Sequence, residues 1–164
     1  MSISVGDRLP EATLLRMGPD GPEQVSLSER TRGRKVVMFG LPGPFTGTCS
    51  EAHVPSFMRV RDALEANGVD EVICFAVTDP FVMRAWSEAT GAEAAGLTMV
   101  ADSSGELTKG LGLEFDAPVV GFYGRTTRHS MLVDDGVVRI LNFEEGHGVC
   151  ELTAGETMLE AIAS

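Results

Sequence analysis

Apolar residues in this chain fall in short runs separated by Gly, Pro, Asp and Asn. Three runs, Lys35–Gly40, Val72–Val77 and Leu97–Ala101, are five or six residues long, mostly apolar, and bounded by turn residues, so they predict buried strands. Between the first two, Val54, Phe57, Met58, Val60 and Leu64 recur at helical spacing and stop at Asn67-Gly68. Asp79-Pro80 opens a second helix whose apolar face is Val82, Met83, Ala85, Trp86 and Ala89, and a short helix is expected over Glu106–Gly110. Further strands are predicted at Pro118–Tyr123, Ser130–Val133 and Val137–Asn142, the last two joined by a hairpin at Asp134-Asp135-Gly136. Residues 1–28 read as an edge hairpin or two. Thr153-Ala154-Gly155-Glu156 reads as a capping box leading into a terminal helix through Met158, Leu159 and Ile162. Strand and helix alternate and then give way to a hairpin, which predicts an α/β fold in one domain spanning 1–164.

The first strand empties into Pro42-Gly43-Pro44-Phe45-Thr46-Gly47-Thr48-Cys49-Ser50-Glu51. Thr48 followed three residues later by Glu51 is a second capping pattern, and it makes Cys49 the first residue of a helix. An ordinary cysteine is only about 3% thiolate at pH 7. The positive end of the helix dipole and its unpaired N–H groups favour the anion, so this position suits a nucleophile. Pro55 falls inside the same helix and predicts a kink there.

Composition narrows the class. The 164 residues are 43% hydrophobic, enough for one substantial core. Thirteen basic against 24 acidic residues give a net charge of −11, which opposes nucleic acid and anionic lipid as partners. No apolar run approaches a membrane span, and the N-terminus lacks the features of a signal peptide, so a cytoplasmic protein is expected. Three separated cysteines form neither a disulfide framework nor a zinc site, and they suit a reducing compartment in which a thiol does chemistry.

Pro42, Thr46 and Cys49 fill a Pro-x-x-x-Thr-x-x-Cys pattern that resembles the active-site motif of the peroxiredoxins. The resemblance extends to the type II, or atypical, group through Val77–Trp86 and Arg125–Met131, and it covers essentially the whole chain. Two positions depart from the pattern: Gly47 stands where proline is usual, and Pro44 where a small residue is usual. The resemblance implies a thioredoxin-like fold, a central mixed sheet flanked by helices. It also implies a homodimer and a thiol-dependent peroxidase acting on hydrogen peroxide and alkyl hydroperoxides without metal, flavin or haem. A non-enzymatic redox sensor, signalling through oxidation of Cys49, is the alternative.

In that chemistry Cys49 is the nucleophile and becomes a sulfenic acid. Thr46 offers its hydroxyl to the sulfur and the peroxide, and Pro42 shields the site. The resemblance carries the active-site arginine onto Arg125, with Arg128 as its competitor on the opposite face of an extended segment. His53, four residues after Cys49, is expected in the pocket wall; a Cys-His dyad or a metal site is the weaker reading. His129 and His147 are expected to face solvent or pack locally. For reduction of the sulfenic acid, Cys150 and Cys74 are both candidate resolving thiols, Cys74 only after local unfolding. The other route is an external thiol, glutathione with glutaredoxin or thioredoxin.

Overall fold

The structure, a computed structural model, describes residues 2–144 and 150–164 and, for Cys49, the backbone. Strands β1 (Thr13–Gly18), β2 (Gly21–Ser26), β3 (Lys35–Gly40), β4 (Glu71–Ala76), β5 (Thr98–Ala101), β8 (His129–Asp134) and β9 (Val137–Phe143) form one sheet in the order β2-β1-β5-β4-β3-β8-β9. Its centre is parallel: β4 lies between β3 and β5, and every residue of β4 is buried. A parallel strand covered on both faces needs such a continuous apolar run, which is why Val72–Val77 lacks alternation. Antiparallel hairpins close both sides, β1–β2 beyond β5 and β8–β9 beyond β3.

The helices divide between the two faces. Phe57 and Leu64 of α2 (Val54–Ala66), Trp86 of α3 (Pro80–Thr90) and Met158 of α5 (Gly155–Ala163) pack on Val37, Phe39 and Cys74. On the opposite face Leu27 of α1 (Leu27–Thr31) and Leu107 and Leu111 of α4 (Glu106–Leu111) pack on Met38, Ile73 and Phe75. This is the expected thioredoxin-like arrangement. The hairpin signal at Asp135-Gly136 also holds: Asp134 pairs with Val137, and the two turn residues have φ of 49° and 80°, as a primed two-residue turn requires.

Two sequence expectations are corrected. Pro118–Tyr123 is not a strand. Pro118–Val120 forms a 3-10 turn ended by Gly121 at φ 76°, between β6 (Glu114–Ala117) and β7 (Phe122–Thr126), which pair only with each other. Val119 is 99% exposed and Val120 61%, so these apolar residues cover surface rather than core. The capping box at Thr153–Glu156 does not form either. Ala154 is the cap of α5, and the Thr153 hydroxyl donates to Glu144 at 2.6 Å. Gly155 replaces the cap by close approach: its N–H donates to the Ser56 hydroxyl at 2.9 Å, and an added Cβ would lie 2.4 Å from the Ser56 carbonyl oxygen.

Candidate active site

β3 ends at the centre of the sheet and releases the chain through Leu41 to Thr46. The helix starts earlier than the Thr48–Glu51 pattern implies. Gly47 and Thr48 are already helical, and the Ser50 N–H donates to the Thr46 carbonyl at 3.0 Å. Thr46 therefore occupies the cap, and Cys49 lies inside the first turn. That turn is a π turn, Cys49–His53, and α2 proper begins at Val54 with Pro55 in its first turn. The kink expected at Pro55 is thus taken up by the change from π to α: proline's missing donor falls where an α-helix has unpaired donors anyway. Trp86, buried on α3, braces the turn by donating to the Ser50 hydroxyl at 2.8 Å.

A cavity of about 420 Å³ opens beside this turn, bounded among the described residues by Pro42, Thr46, Gly47, Thr48, Val120, Phe122 and Arg128. The structure thus brings Pro42 and Thr46 together. The Thr46 hydroxyl donates to the Gly43 carbonyl at 2.8 Å, which leaves its oxygen lone pairs to accept. The two arginines separate as their spacing in an extended segment suggests, but with the roles exchanged. Arg125 donates to the Pro42 carbonyl at 2.9 Å and stacks on the Phe122 ring at 4.7 Å, bracing the loop. Arg128, only 2% exposed, borders the cavity. The expectation that favoured Arg125 is corrected on this ground.

His53 is also displaced from its expected place. It is fully buried behind Arg128 and is not part of the cavity lining described above. Its Nδ1 faces the Arg128 guanidinium at 2.9 Å and its Nε2 faces the Thr153 carbonyl at 3.1 Å. Both ring nitrogens are therefore engaged, which removes the dyad and metal readings. Burial above all, then the Arg128 charge and a smaller effect of His129, hold its pKa well below the usual histidine value against the Thr153 carbonyl.

The remaining thiols are well apart in setting. Cys74 is fully buried in β4, beneath the helices of the α2 face. Cys150 is half-buried, 3.8 Å from the Thr153 hydroxyl, and neither it nor Cys74 is in a disulfide. Glu144 ties down the segment after Cys150, accepting from the N–H groups of Glu151, Leu152 and Thr153. Partial burial works to raise the Glu144 pKa, but the Thr153 hydroxyl and these N–H groups outweigh it and hold the carboxyl below its ordinary value. Of the two settings expected for His129, solvent or local packing, it takes the second, buried against Phe75 on the opposite face of the sheet. His147 lies outside the described residues.

A thioredoxin-like sheet with a cysteine in the first helical turn after β3, and a cavity beside that turn bordered by a threonine and a buried arginine, defines a thiol-based redox protein. The redoxin family matches residues 4–158. The chain is 45% identical over 165 residues to the rice chloroplastic peroxiredoxin-2E-2, covering 98% of this chain and 73% of that protein. It is 42% identical over 161 residues to peroxiredoxin-2B of Arabidopsis thaliana, covering 98% of both. Among solved structures, reduced Prx3 from Vibrio vulnificus in complex with hydrogen peroxide superposes with a TM-score of 0.90 at 43% identity, over 98% of this chain and 99% of that one. The chain belongs to the peroxiredoxins, in their type II group, and is a thiol-dependent peroxidase. The sensor alternative finds no support in these relatives.

Proposed function

We propose that Cys49 reduces hydrogen peroxide and alkyl hydroperoxides by direct thiolate attack. The observation that carries this reading is the cavity that joins Pro42, Thr46 and Arg128 beside the turn bearing Cys49. The sulfur takes the terminal peroxide oxygen, the O–O bond breaks, and the departing oxygen leaves as water or an alcohol after gaining a proton. Cys49 becomes a sulfenic acid. The Thr46 oxygen, its own proton committed to Gly43, accepts the hydroperoxide O–H. Arg128 stabilises the thiolate and the negative charge that develops on the leaving oxygen, in a site walled by Pro42, Val120 and Phe122. Those apolar walls suit the alkyl group of an organic hydroperoxide.

A thiol closes the cycle, either glutathione with glutaredoxin, or thioredoxin, attacking Cys49 directly, or Cys150 first forming a disulfide. The half-buried position of Cys150 supports the second route more than the deep burial of Cys74 supports a resolving role there. The exposed Phe45, Phe81, Val119, Val120 and Tyr123 support a homodimer that would cover them. Three separated cysteines with no disulfide framework in their spacing favour a cytoplasmic enzyme, which fractionation of the native cell would test.

The deciding experiment is intact mass after one equivalent of hydrogen peroxide, with a sulfenic-acid trap present, on the wild type, Cys49→Ser and Cys150→Ser. The reading expects no oxidation of Cys49→Ser, and a folded Cys49→Ser protein that still consumes peroxide overturns it. Loss of two hydrogens in the wild type that becomes trapped sulfenic acid in Cys150→Ser identifies Cys150 as the resolving thiol. Trapped sulfenic acid in both assigns that step to an external thiol.

A further inference from the structure

The peroxidase reading uses Arg128 but assigns nothing to the histidine behind it. Arginine presents donors only, so the His53 Nδ1 at 2.9 Å from Arg128 must accept. A carbonyl only accepts, so Nε2 at 3.1 Å donates to Thr153. The two contacts select one neutral tautomer. The ring is fully buried, with Phe39 at 4.9 Å and Phe57 at 5.7 Å between centroids. Thr153 is itself pinned, since its N–H and hydroxyl donate to Glu144 at 2.8 and 2.6 Å.

We propose that His53 is a positioning residue: its Nδ1 lone pair holds the Arg128 guanidinium in the peroxide cavity, and its Nε2–H anchors that contact to the segment fixed by Glu144. The inference rests on the role given to Arg128 above. An arginine on its flexible stem has many rotamers, and an acceptor at a fixed point selects one before the peroxide arrives. That removes reorganisation from the oxidation step, where the departing oxygen needs a donor already aimed at it. The depressed pKa of His53 agrees with this, because a protonated ring would turn an N–H toward the guanidinium.

Three substitutions separate the two ring nitrogens. His53→Asn puts an acceptor about where Nδ1 stands; His53→Gln reaches the Nε2 position and loses the acceptor; His53→Phe removes both. The measurement is the single-turnover rate of Cys49 oxidation by hydrogen peroxide and its pH profile, on proteins shown to be folded by circular dichroism. The Gln and Phe variants should be slower by about tenfold, the Asn variant by less than about threefold, as expected for a displaced catalytic arginine. Less thiolate stabilisation should also move the acid limb of the Gln and Phe profiles to higher pH. With Arg128→Ala already present, His53→Gln should change the rate by less than about twofold, because the two act through one contact. Asn as slow as Gln, or Gln at the wild-type rate while Arg128→Ala is impaired, overturns the positioning role alone. Arg128→Ala at the wild-type rate overturns the arginine assignment and this inference with it. If the Phe variant does not fold, the Asn and Gln pair decides.

Discussion

Arg128 and His129 are neighbours in sequence and inhabit different molecules in a physical sense. The alternation of an extended chain sends Arg128 toward the α2 face of the sheet and His129 toward the α4 face. On the first face a buried histidine, His53, has both nitrogens engaged and touches a residue of the cavity. On the second, His129 donates from Nδ1 to the Thr127 carbonyl at 2.7 Å, packs edge-on to Phe75, and has no hydrogen-bond partner at Nε2 among the described residues. Burial depresses both pKa values, to about 4 for His129, where desolvation exceeds the effect of the Thr127 carbonyl. A shifted pKa therefore does not by itself mark function. The wiring of the second nitrogen separates the two.

The largest test of this contrast is on the arginines. Arg128→Ala should slow Cys49 oxidation by about a hundredfold, the typical loss of a charge-stabilising donor, while Arg125→Ala, which loosens the loop, should cost only a few-fold. Stopped-flow oxidation rates with hydrogen peroxide would show it, and the reverse order would return the site to Arg125.

Next comes stability against pH. A histidine buried neutral has a folded pKa below its unfolded value of about 6.5, so its contribution is complete above that pH. It is lost as pH falls, because the unfolded chain takes up the proton first, and the loss levels off near pH 4 for His129. That residue alone accounts for about 3 kcal/mol between these limits, and His53 adds to it in the same direction. Urea midpoints at pH 7.5 and pH 5 should fall steeply for the wild type. In His129→Leu the fall should be visibly shallower. A pH-independent wild-type midpoint would contradict the neutral burial of both rings.

The smallest expected effect is the most discriminating. His129→Leu should leave the peroxidase rate within about twofold, since that face carries no part of the cavity, and should change stability at neutral pH by less than about 1.5 kcal/mol, because it exchanges an unpaired buried nitrogen for an apolar group. A large rate loss in a folded protein would erase the difference between the faces. Gly40 belongs to the same packing: an added Cβ would lie 2.5 Å from a His129 ring carbon and 2.8 Å from Phe75.

Much of this protein was legible before any fold was known. Continuous apolar runs specified β3, β4 and β5, Asp-Gly specified the β8–β9 turn, and Pro42, Thr46 and Cys49 carried the resemblance to the peroxiredoxin motif. Periodicity failed at Pro118–Val120, where apolar residues lie on the surface, because hydrophobicity does not say which face of a segment finds a partner. It failed again at Thr153, whose hydroxyl preferred a carboxylate nine residues earlier to its own helix end. The choice between Arg125 and Arg128 lay beyond local reading for the same reason. Each stands three residues from the other in a polar segment. Only the crossing of β8 beside β3 delivers one to a cavity and the other to the Pro42 carbonyl. Spacing along a chain determines which groups can act, and long-range pairing, carried by contacts such as His53 to Arg128 across 75 residues, decides which of them meet.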